Sequence, residues 1–168
     1  MNKKEKFVSS EENVGIVNEM LKGNEVIEKA LAKWKDNQLD ICDIASVYKS
    51  IVDRDREYGG LIVSVECGDI PAGAENVQFY NGDKKINLNK TKDSDDNYYF
   101  LVFTSREKFQ KFNETAGAVM FIQYVFSLLT NMEGVEGIVM NMGSEEVILN
   151  KSVMKMIDRM IEIGECNQ

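Results

Sequence analysis

The sequence predicts an α+β domain with a mixed, mostly antiparallel sheet and helices packed against it. Three helix-like patterns come before the first strand-like run, and the later strands and helices do not alternate strictly. Strict alternation is typical of a parallel α/β sheet, so its absence favours the α+β class. The third observation is a strand that turns directly into a helix between Tyr98 and Phe112.

That strand and helix form the clearest local pattern in the chain. The residues from Tyr98 to Phe103 are β-favouring and uncharged, as expected of a central strand buried on both faces. Thr104 and Glu107 have the spacing of a capping box, in which the hydroxyl and the carboxylate each meet a free backbone amide. Phe109 and Phe112 lie three residues apart, which places them on one face of the predicted helix.

Three amphipathic helices are predicted in the first third of the chain. Ser9 and Glu12 have capping-box spacing, and Gly23 is a plausible stop. Asn24 is the predicted N-cap of the second helix, and the third helix is predicted to follow Asp40. The predicted core-facing residues are Val14, Val17 and Leu21 in the first helix, Val26, Ile27, Ala30, Leu31 and Trp34 in the second, and Ile41, Ile44, Ala45, Tyr48, Ile51 and Val52 in the third.

The remaining elements are shorter. Asn81-Gly82 predicts a hairpin between residues 77–80 and 83–88, because a type I′ turn needs two residues with positive φ. The polar run 89–97 predicts a loop, and Gly134–Gly137 predicts a turn. The other predicted elements are strands at Leu61–Val65, Ala118–Met120, Gly137–Met140 and Glu146–Leu149, the most buried helix at Phe121–Met132, and a last helix after Asn150 with Val153, Met156, Ile157 and Met160 inward.

Length and charge limit the classes of function. The 168 residues predict one domain over 23–164, preceded by a tail and short helix at 1–22 and followed by a tail at 165–168. The 28 acidic and 20 basic residues give a net charge of −8, which repels phosphate backbones, so no nucleic-acid partner is expected. The basic residues Lys3, Lys4 and Lys6 are interpreted as a solvated tail.

The location of the chain is predicted to be cytoplasmic. Phe7-Val8 is followed at once by polar residues, so no signal peptide is predicted. The best membrane candidate, Ala116–Leu129, is shorter than the roughly 20 residues that a spanning helix needs, so no membrane role is expected. Cys42, Cys67 and Cys166 are odd in number and widely spaced, which favours a reducing compartment.

No catalytic residue, metal site or cofactor is predicted. The chain has no histidine, which excludes Ser-His-Asp and Cys-His nucleophiles and every histidine-containing metal site. The acidic runs Asp53–Glu57 and Asp93–Asn97 fail the calcium-loop pattern, since neither has glycine at the sixth position, and are interpreted as solvated charge. Cys42 and Cys67 are predicted to be small buried hydrophobes, and Cys166 an ordinary tail residue.

Two weak site hypotheses remain. Thr104, Ser105 and Arg106 begin a helix at the end of the central strand, where free amides and a guanidinium are suited to a small anion. The simpler alternative is that Thr104 only caps its helix. Met142 lies in a predicted turn and is expected to be exposed, as part of an interaction surface.

Several short segments resemble the N-terminal domain of the SseB family, bacterial proteins named for enhanced serine sensitivity. Phe103-Thr104-Ser105 is followed by a helix and later by Gly-Ile-Val-Met-Asn-Met-Gly at Gly137–Gly143. The upstream helix Asn24–Leu31 and the strand and helix start at Val147–Val153 fall in the order that the family shows. The resemblance covers roughly residues 24–163. It implies the family's α+β domain, with no established reaction and no catalytic residues to carry over.

The residues and the resemblance together favour a non-catalytic cytoplasmic module. We expect it to bind or regulate another protein, or to self-associate. The alternative hypothesis is a domain that binds a small anion or metabolite at Thr104–Arg106.

Overall fold

A central sheet with helices on both faces organises the protein. The computed structural model describes residues 10–36, 40–66, 77–80, 82, 85–112 and 116–164. Within these residues the helices are α1 (Ser10–Leu21), α2 (Glu25–Asp36), α3 (Ile41–Arg56), α4 (Arg106–Phe112), α5 (Ile122–Asn131) and α6 (Lys151–Glu162). The strands are β1 (Gly60–Val65), β2 (Gln78–Phe79), β3 (Lys90–Lys92), β4 (Tyr98–Phe103), β5 (Ala116–Phe121), β6 (Val135–Met140) and β7 (Val147–Asn150).

The sheet is mixed and mostly antiparallel. Its strands follow the order β2-β5-β1-β4-β6-β7, and β3 pairs with the first half of β4. The pairings β1–β4, β1–β5, β3–β4 and β6–β7 are antiparallel, whereas β2–β5 and β4–β6 are parallel. The predicted α+β class is therefore confirmed.

The central strand β4 divides its side chains between two hydrophobic cores. Because successive side chains of a strand point to opposite faces, Phe100 and Val102 lie in the larger core and Leu101 and Phe103 in the smaller one. Burying a side chain as large as Phe100 contributes about 2–3 kcal/mol. β4 is thus the buried central strand that its sequence predicts, with only Tyr98 exposed.

Four helices cover one face of the sheet and two cover the other. The larger core includes side chains of α2, α3, α5 and α6, and the smaller core includes those of α1 and α4. Val17 of α1 and Phe109 of α4 are fully buried there. Gly117 leaves the space that the Phe109 ring occupies, since a Cβ on Gly117 would lie 3.0 Å from that ring. Among the described helices, none combines the length and the hydropathy that a bilayer crossing requires.

The predicted hairpin around Asn81-Gly82 is wrong. β2 pairs in parallel with β5, with Gln78 opposite Ala118 and Phe79 opposite Val119. Residues 81, 83 and 84 lie outside the described residues, and residues 85–87 form no strand. The predicted loop 89–97 is also wrong in its first part, because Lys90–Lys92 pair with Tyr98–Phe100 across a tight turn. The distant strand β5 decided the first segment, and pairing with the next strand in sequence, β4, decided the second.

Several predicted helix faces and boundaries also differ. Val14, Val26, Ile41 and Met156 are exposed rather than inward. The buried residues of α5 are Ile122, Val125 and Leu129. This helix is therefore not buried on all sides, and the prediction that it is the most buried helix is wrong, because α3 has more buried residues. Further differences are that β5 begins at Ala116 and that β6 begins at Val135, inside the predicted turn. The capping box at Ser9 lies outside the described residues.

Candidate functional site

The site predicted at Thr104 lies where β4 ends, and its polar atoms are already engaged. Thr104 is fully buried. Its hydroxyl donates a hydrogen bond of 2.7 Å to the Glu28 carboxylate of α2. Its backbone N–H donates to Asn141 Oδ1 at 3.0 Å. The helix α4 is capped by the next residue, because the Lys108 N–H donates to Ser105 Oγ at 3.3 Å. The cap is therefore Ser105 instead of Thr104, and the predicted capping box of Thr104 and Glu107 is wrong.

Asn141 occupies the equivalent position at the end of β6, the parallel neighbour of β4. Its side-chain amide donates to Thr104 Oγ1 at 3.0 Å while its carbonyl oxygen accepts the Thr104 N–H. The residue is fully buried and has φ +53, a conformation that asparagine tolerates better than most residues. The ends of the two parallel strands are thus joined by one side chain.

Asn24 and Arg54 extend this contact into a larger polar network. Asn24 donates from Nδ2 to the carbonyl oxygens of Gly60 and Thr104, each at 2.9 Å. Its Oδ1 accepts from Arg54 Nε at 3.1 Å. The prediction that the Asn24 side chain caps α2 is therefore wrong. We call Asn24, Arg54, Thr104 and Asn141 the polar network.

The Arg54 guanidinium is the charged member of the polar network. Arg54 is only 7% exposed, and its Nη2 donates to the Lys22 carbonyl oxygen at 2.6 Å. Nη1 forms an ion pair of 2.6 Å with Glu57. Gly59 permits this packing, since a Cβ there would lie 2.9 Å from Arg54 Nη2. The sequence interpretation of residues 53–57 as solvated charge is therefore wrong for Arg54.

A second charged contact lies at the surface beside α4. Lys108 Nζ is 2.5 Å from Glu145 Oε2, and the Ser144 hydroxyl donates to the same carboxylate at 2.7 Å. The hydrogen bond from Lys108, with that from Ser144, lowers the pKa of Glu145 from 4.5 to about 2. The bond to Glu145 also raises the pKa of Lys108. This pair ties the β6–β7 turn to α4.

The Lys108–Glu145 pair is expected to make stability depend on acid pH. Because the pKa of Glu145 in the folded protein is about 2, below its ordinary 4.5, the pair stabilises the fold above pH 4.5. That contribution is lost as pH falls from 4.5 towards 2. Glu145→Gln should lower the free energy of unfolding by about 1 kcal/mol at pH 7, since the pair is partly solvated, and by much less near pH 2.5. Urea unfolding at both pH values measures this change.

The neighbouring Glu146 supplies the control for this experiment. It is exposed and makes no ion pair with the described residues. Glu146→Gln should leave stability within about 0.5 kcal/mol at both pH values. Equal behaviour of the two variants would contradict the role assigned to Glu145.

Arg106, the third residue of the anion hypothesis, does not converge with Thr104. Its Nη1 donates to Asn18 of α1 at 3.0 Å, and its buried Nε has no hydrogen-bond partner among the described residues. The anion hypothesis stays a prediction, and the geometry weighs against it. Thr104 is buried against the Glu28 carboxylate, which would repel an anion, and α4 has only seven residues.

Met142 is half-buried rather than fully exposed. It packs against the smaller core, beside the β6–β7 turn. A role for Met142 in an interaction surface stays a prediction.

The acidic run at Asp93 forms a closed turn. The Asp93 carboxylate accepts hydrogen bonds from the backbone N–H groups of Asp95 and Asn97 and from the Tyr99 hydroxyl. The backbone N–H of Asn97 is the main cause of the lowered pKa of Asp93. In the described part of the chain, no group of three or more acidic or cysteine side chains is arranged to hold a metal ion.

The cysteine predictions have one tested outcome. Cys42 is exposed on α3, so its prediction as a buried hydrophobe is wrong. Cys67 and Cys166 lie outside the described residues.

Sequence reasoning missed most of the polar network. Asn24 and Arg54 lie in ordinary helix-boundary and charged contexts, with no local sign of burial. Asn141 carried a signal, since asparagine before Met-Gly in a turn indicates positive φ. Gly59 was a second signal, because glycine is the residue that leaves room for another group to approach the backbone closely.

Fold and site define a small α+β domain whose buried polar groups connect strand ends. A family model described as SseB protein N-terminal domain matches residues 27–152. The chain therefore belongs to the SseB family. Comparisons with curated proteins and with solved structures found no match.

Proposed function

We propose that the chain is a non-catalytic, cytoplasmic protein-interaction module of the SseB family, and that it binds its partner through an aromatic strip at one edge of the sheet. The strip consists of Phe79, Tyr80, Phe121 and Tyr124. It lies where β2, the end of β5 and the start of α5 meet. Phe79 packs against the smaller core and Tyr80 against the larger one, so the strip wraps around the edge strand β2. The partner is another protein or a second copy of the chain.

The partly exposed aromatic rings of this strip carry the proposal. Phe121 and Tyr124 are 41% and 38% exposed. Phe121 makes an edge-on contact with Phe79 at 5.8 Å between ring centroids, and Tyr124 lies 5.9 Å from Tyr80. Tyr58, 77% exposed, lies two residues before Gly60, the register partner of Phe121. Exposed aromatic rings held in place by neighbours are typical of the residues that dominate protein interfaces.

The titratable groups support a non-catalytic role. The five groups with a clearly shifted pKa in the described residues are Tyr48, Asp93, Tyr99, Lys108 and Glu145, and all are shifted away from neutrality. Burial, with the Asp158 carboxylate, raises the pKa of Tyr48 to about 12. General acid–base catalysis favours a pKa near the working pH, so none of these shifts prepares a group for proton transfer. The cysteine pattern of the sequence supports the cytoplasmic location.

Phe121→Ser is the variant that tests the strip. Phe121 is the N-cap of α5 but provides no side-chain cap, and serine is a favourable N-cap, so the helix should be retained. Native mass spectrometry of the chain gently isolated from its own source should show a stoichiometric second protein or a multiple of 19.1 kDa. The Phe121→Ser chain should appear as a monomer, because it lacks a central ring of the strip.

Met156→Gln is the matched control. Met156 is 43% exposed on α6 and lies outside the strip, so this variant should associate like the parent chain. Loss of association in both variants, or a parent chain that is a bare monomer, would contradict the proposal. Circular dichroism checks that both variants are folded.

A further inference from the structure

An apolar groove with two lysines at its rim lies beside α5. Its volume is about 320 Å³, at the lower end of the range for small-molecule sites of roughly 300–1,000 Å³. Tyr80 and Tyr124 line one part of the groove, and Leu128 and Met132 of α5 line another. These side chains offer an aromatic and aliphatic surface to an apolar ligand body.

The charged residues of the groove limit which ligand charge it can accommodate. Lys85 and Lys90 both line the groove, and Glu66 is the one acidic residue among its described lining. Neither lysine forms an ion pair with another described residue; Lys90 Nζ lies 6.0 Å from the centre of the Tyr98 ring. The two lysines outnumber Glu66 on this groove, although the chain as a whole carries a net charge of −8. Their combined field favours an anion and disfavours a cation.

We propose that this groove binds a small amphipathic carboxylate, with an apolar or aromatic body that ends in one carboxylate group. The body packs between the tyrosine rings and the Leu128 and Met132 side chains. The carboxylate accepts hydrogen bonds from the ammonium groups of Lys85 and Lys90. A bare inorganic anion would leave the apolar wall uncovered, and an uncharged apolar molecule would leave both ammonium groups unpaired.

The groove and the aromatic strip are separable although they share Tyr80 and Tyr124. Phe79 and Phe121 do not line the groove, and neither lysine belongs to the strip. Substitutions at Phe121 and at the two lysines therefore test the strip and the groove separately.

A matched pair of probes isolates the contribution of the charge. Isothermal titration compares 4-phenylbutyrate with its uncharged amide, 4-phenylbutyramide, on the full chain at low salt. The acid should bind about tenfold more tightly than the amide at low salt. This advantage should shrink in 0.5 M salt, where the Debye length is roughly 3–5 Å and exposed ion pairs are screened. Equal affinity for acid and amide, or no saturable binding of the acid at millimolar concentration, would overturn the proposal.

Variants then locate the binding. The double variant Lys85→Gln and Lys90→Gln should bind the acid no better than the amide, while its affinity for the amide stays the same. Lys155→Gln on α6 removes the same kind of charge outside the groove and should bind like the parent chain. Leu128→Glu, at a half-buried helix position, should abolish acid binding. An unchanged acid affinity in the double variant, or an equal loss in Lys155→Gln, would place the carboxylate elsewhere and refute the site.

The two proposals fail in different measurements. Phe121→Ser should keep its affinity for 4-phenylbutyrate even though it loses its protein partner. The lysine double variant should keep its mass in native mass spectrometry. Loss of ligand binding in Phe121→Ser would contradict a groove that is independent of the strip.

Discussion

Replacing Arg54 by methionine is expected to lower the free energy of unfolding by about 3–5 kcal/mol. Methionine fills similar apolar volume but donates no hydrogen bond. Asn24 Oδ1 and the Met20 carbonyl oxygen would then be buried without these donors, which costs about 1–3 kcal/mol for each unsatisfied group. Urea unfolding followed by circular dichroism measures the change.

Arg56→Met provides a control on the same helix. The Arg56 side chain is 76% exposed, and its ion-pair partner among the described residues is Asp53 at the surface. Its replacement should change stability by less than about 0.5 kcal/mol. Arg54→Lys keeps the charge but loses the planar fork, so its stability should lie between those of Arg54→Met and Arg56→Met. If Arg54→Met does not fold, Arg54→Lys is compared with Arg56→Met instead. Equal unfolding midpoints for Arg54→Met and Arg56→Met would show that the guanidinium contributes nothing.

Asn141→Ala is expected to lower the free energy of unfolding by about 3–4 kcal/mol. The buried Thr104 N–H would lose its acceptor, and the Thr104 hydroxyl oxygen would lose a donor. Alanine also tolerates the φ of +53 poorly. Asn141→Gly should be about 1 kcal/mol less damaging than alanine, because glycine removes the backbone strain but not the lost hydrogen bonds. The same unfolding measurement compares both variants.

Asp96→Ala separates backbone strain from hydrogen bonding. Asp96 has φ +64 but lies exposed in the β3–β4 turn, where its partner Lys92 is also solvated. This variant should lose only about 1 kcal/mol. If Asn141→Ala lowers the free energy of unfolding by no more than Asp96→Ala does, the polar network adds nothing beyond backbone conformation.

The polar network joins two of the segments that resemble the SseB family. One segment is Phe103-Thr104-Ser105 and the other is Asn141-Met142-Gly143. Thr104 and Asn141 are 37 residues apart in sequence, yet they are joined by hydrogen bonds. One motif ends β4 and the other ends its parallel neighbour β6. The contact between Thr104 and Asn141 fixes the relative position of the two strand ends.

The candidate surfaces were less accessible to sequence reasoning than the network's motifs. The aromatic strip combines Phe79 with Phe121 and Tyr80 with Tyr124, and the residues of each pair are more than forty positions apart. Only the parallel pairing of β2 with β5, which replaced the predicted hairpin, brings them together. Met142 was predicted to be exposed from its turn position, but the smaller core reaches far enough to bury half of it.

The sequence by itself determined the elements whose information is local. The buried run Tyr98–Phe103, the 3.6-residue pattern of α3 after Asp40, and the start of α6 after Asn150 depend on neighbours within a few residues, and all were predicted. Only the tertiary structure decided the partner of β2, the pairing of Lys90–Lys92 with β4 and the burial of Arg54. These features depend on partner groups outside each segment, because a short strand or a buried charge is stable only when those groups supply its hydrogen bonds.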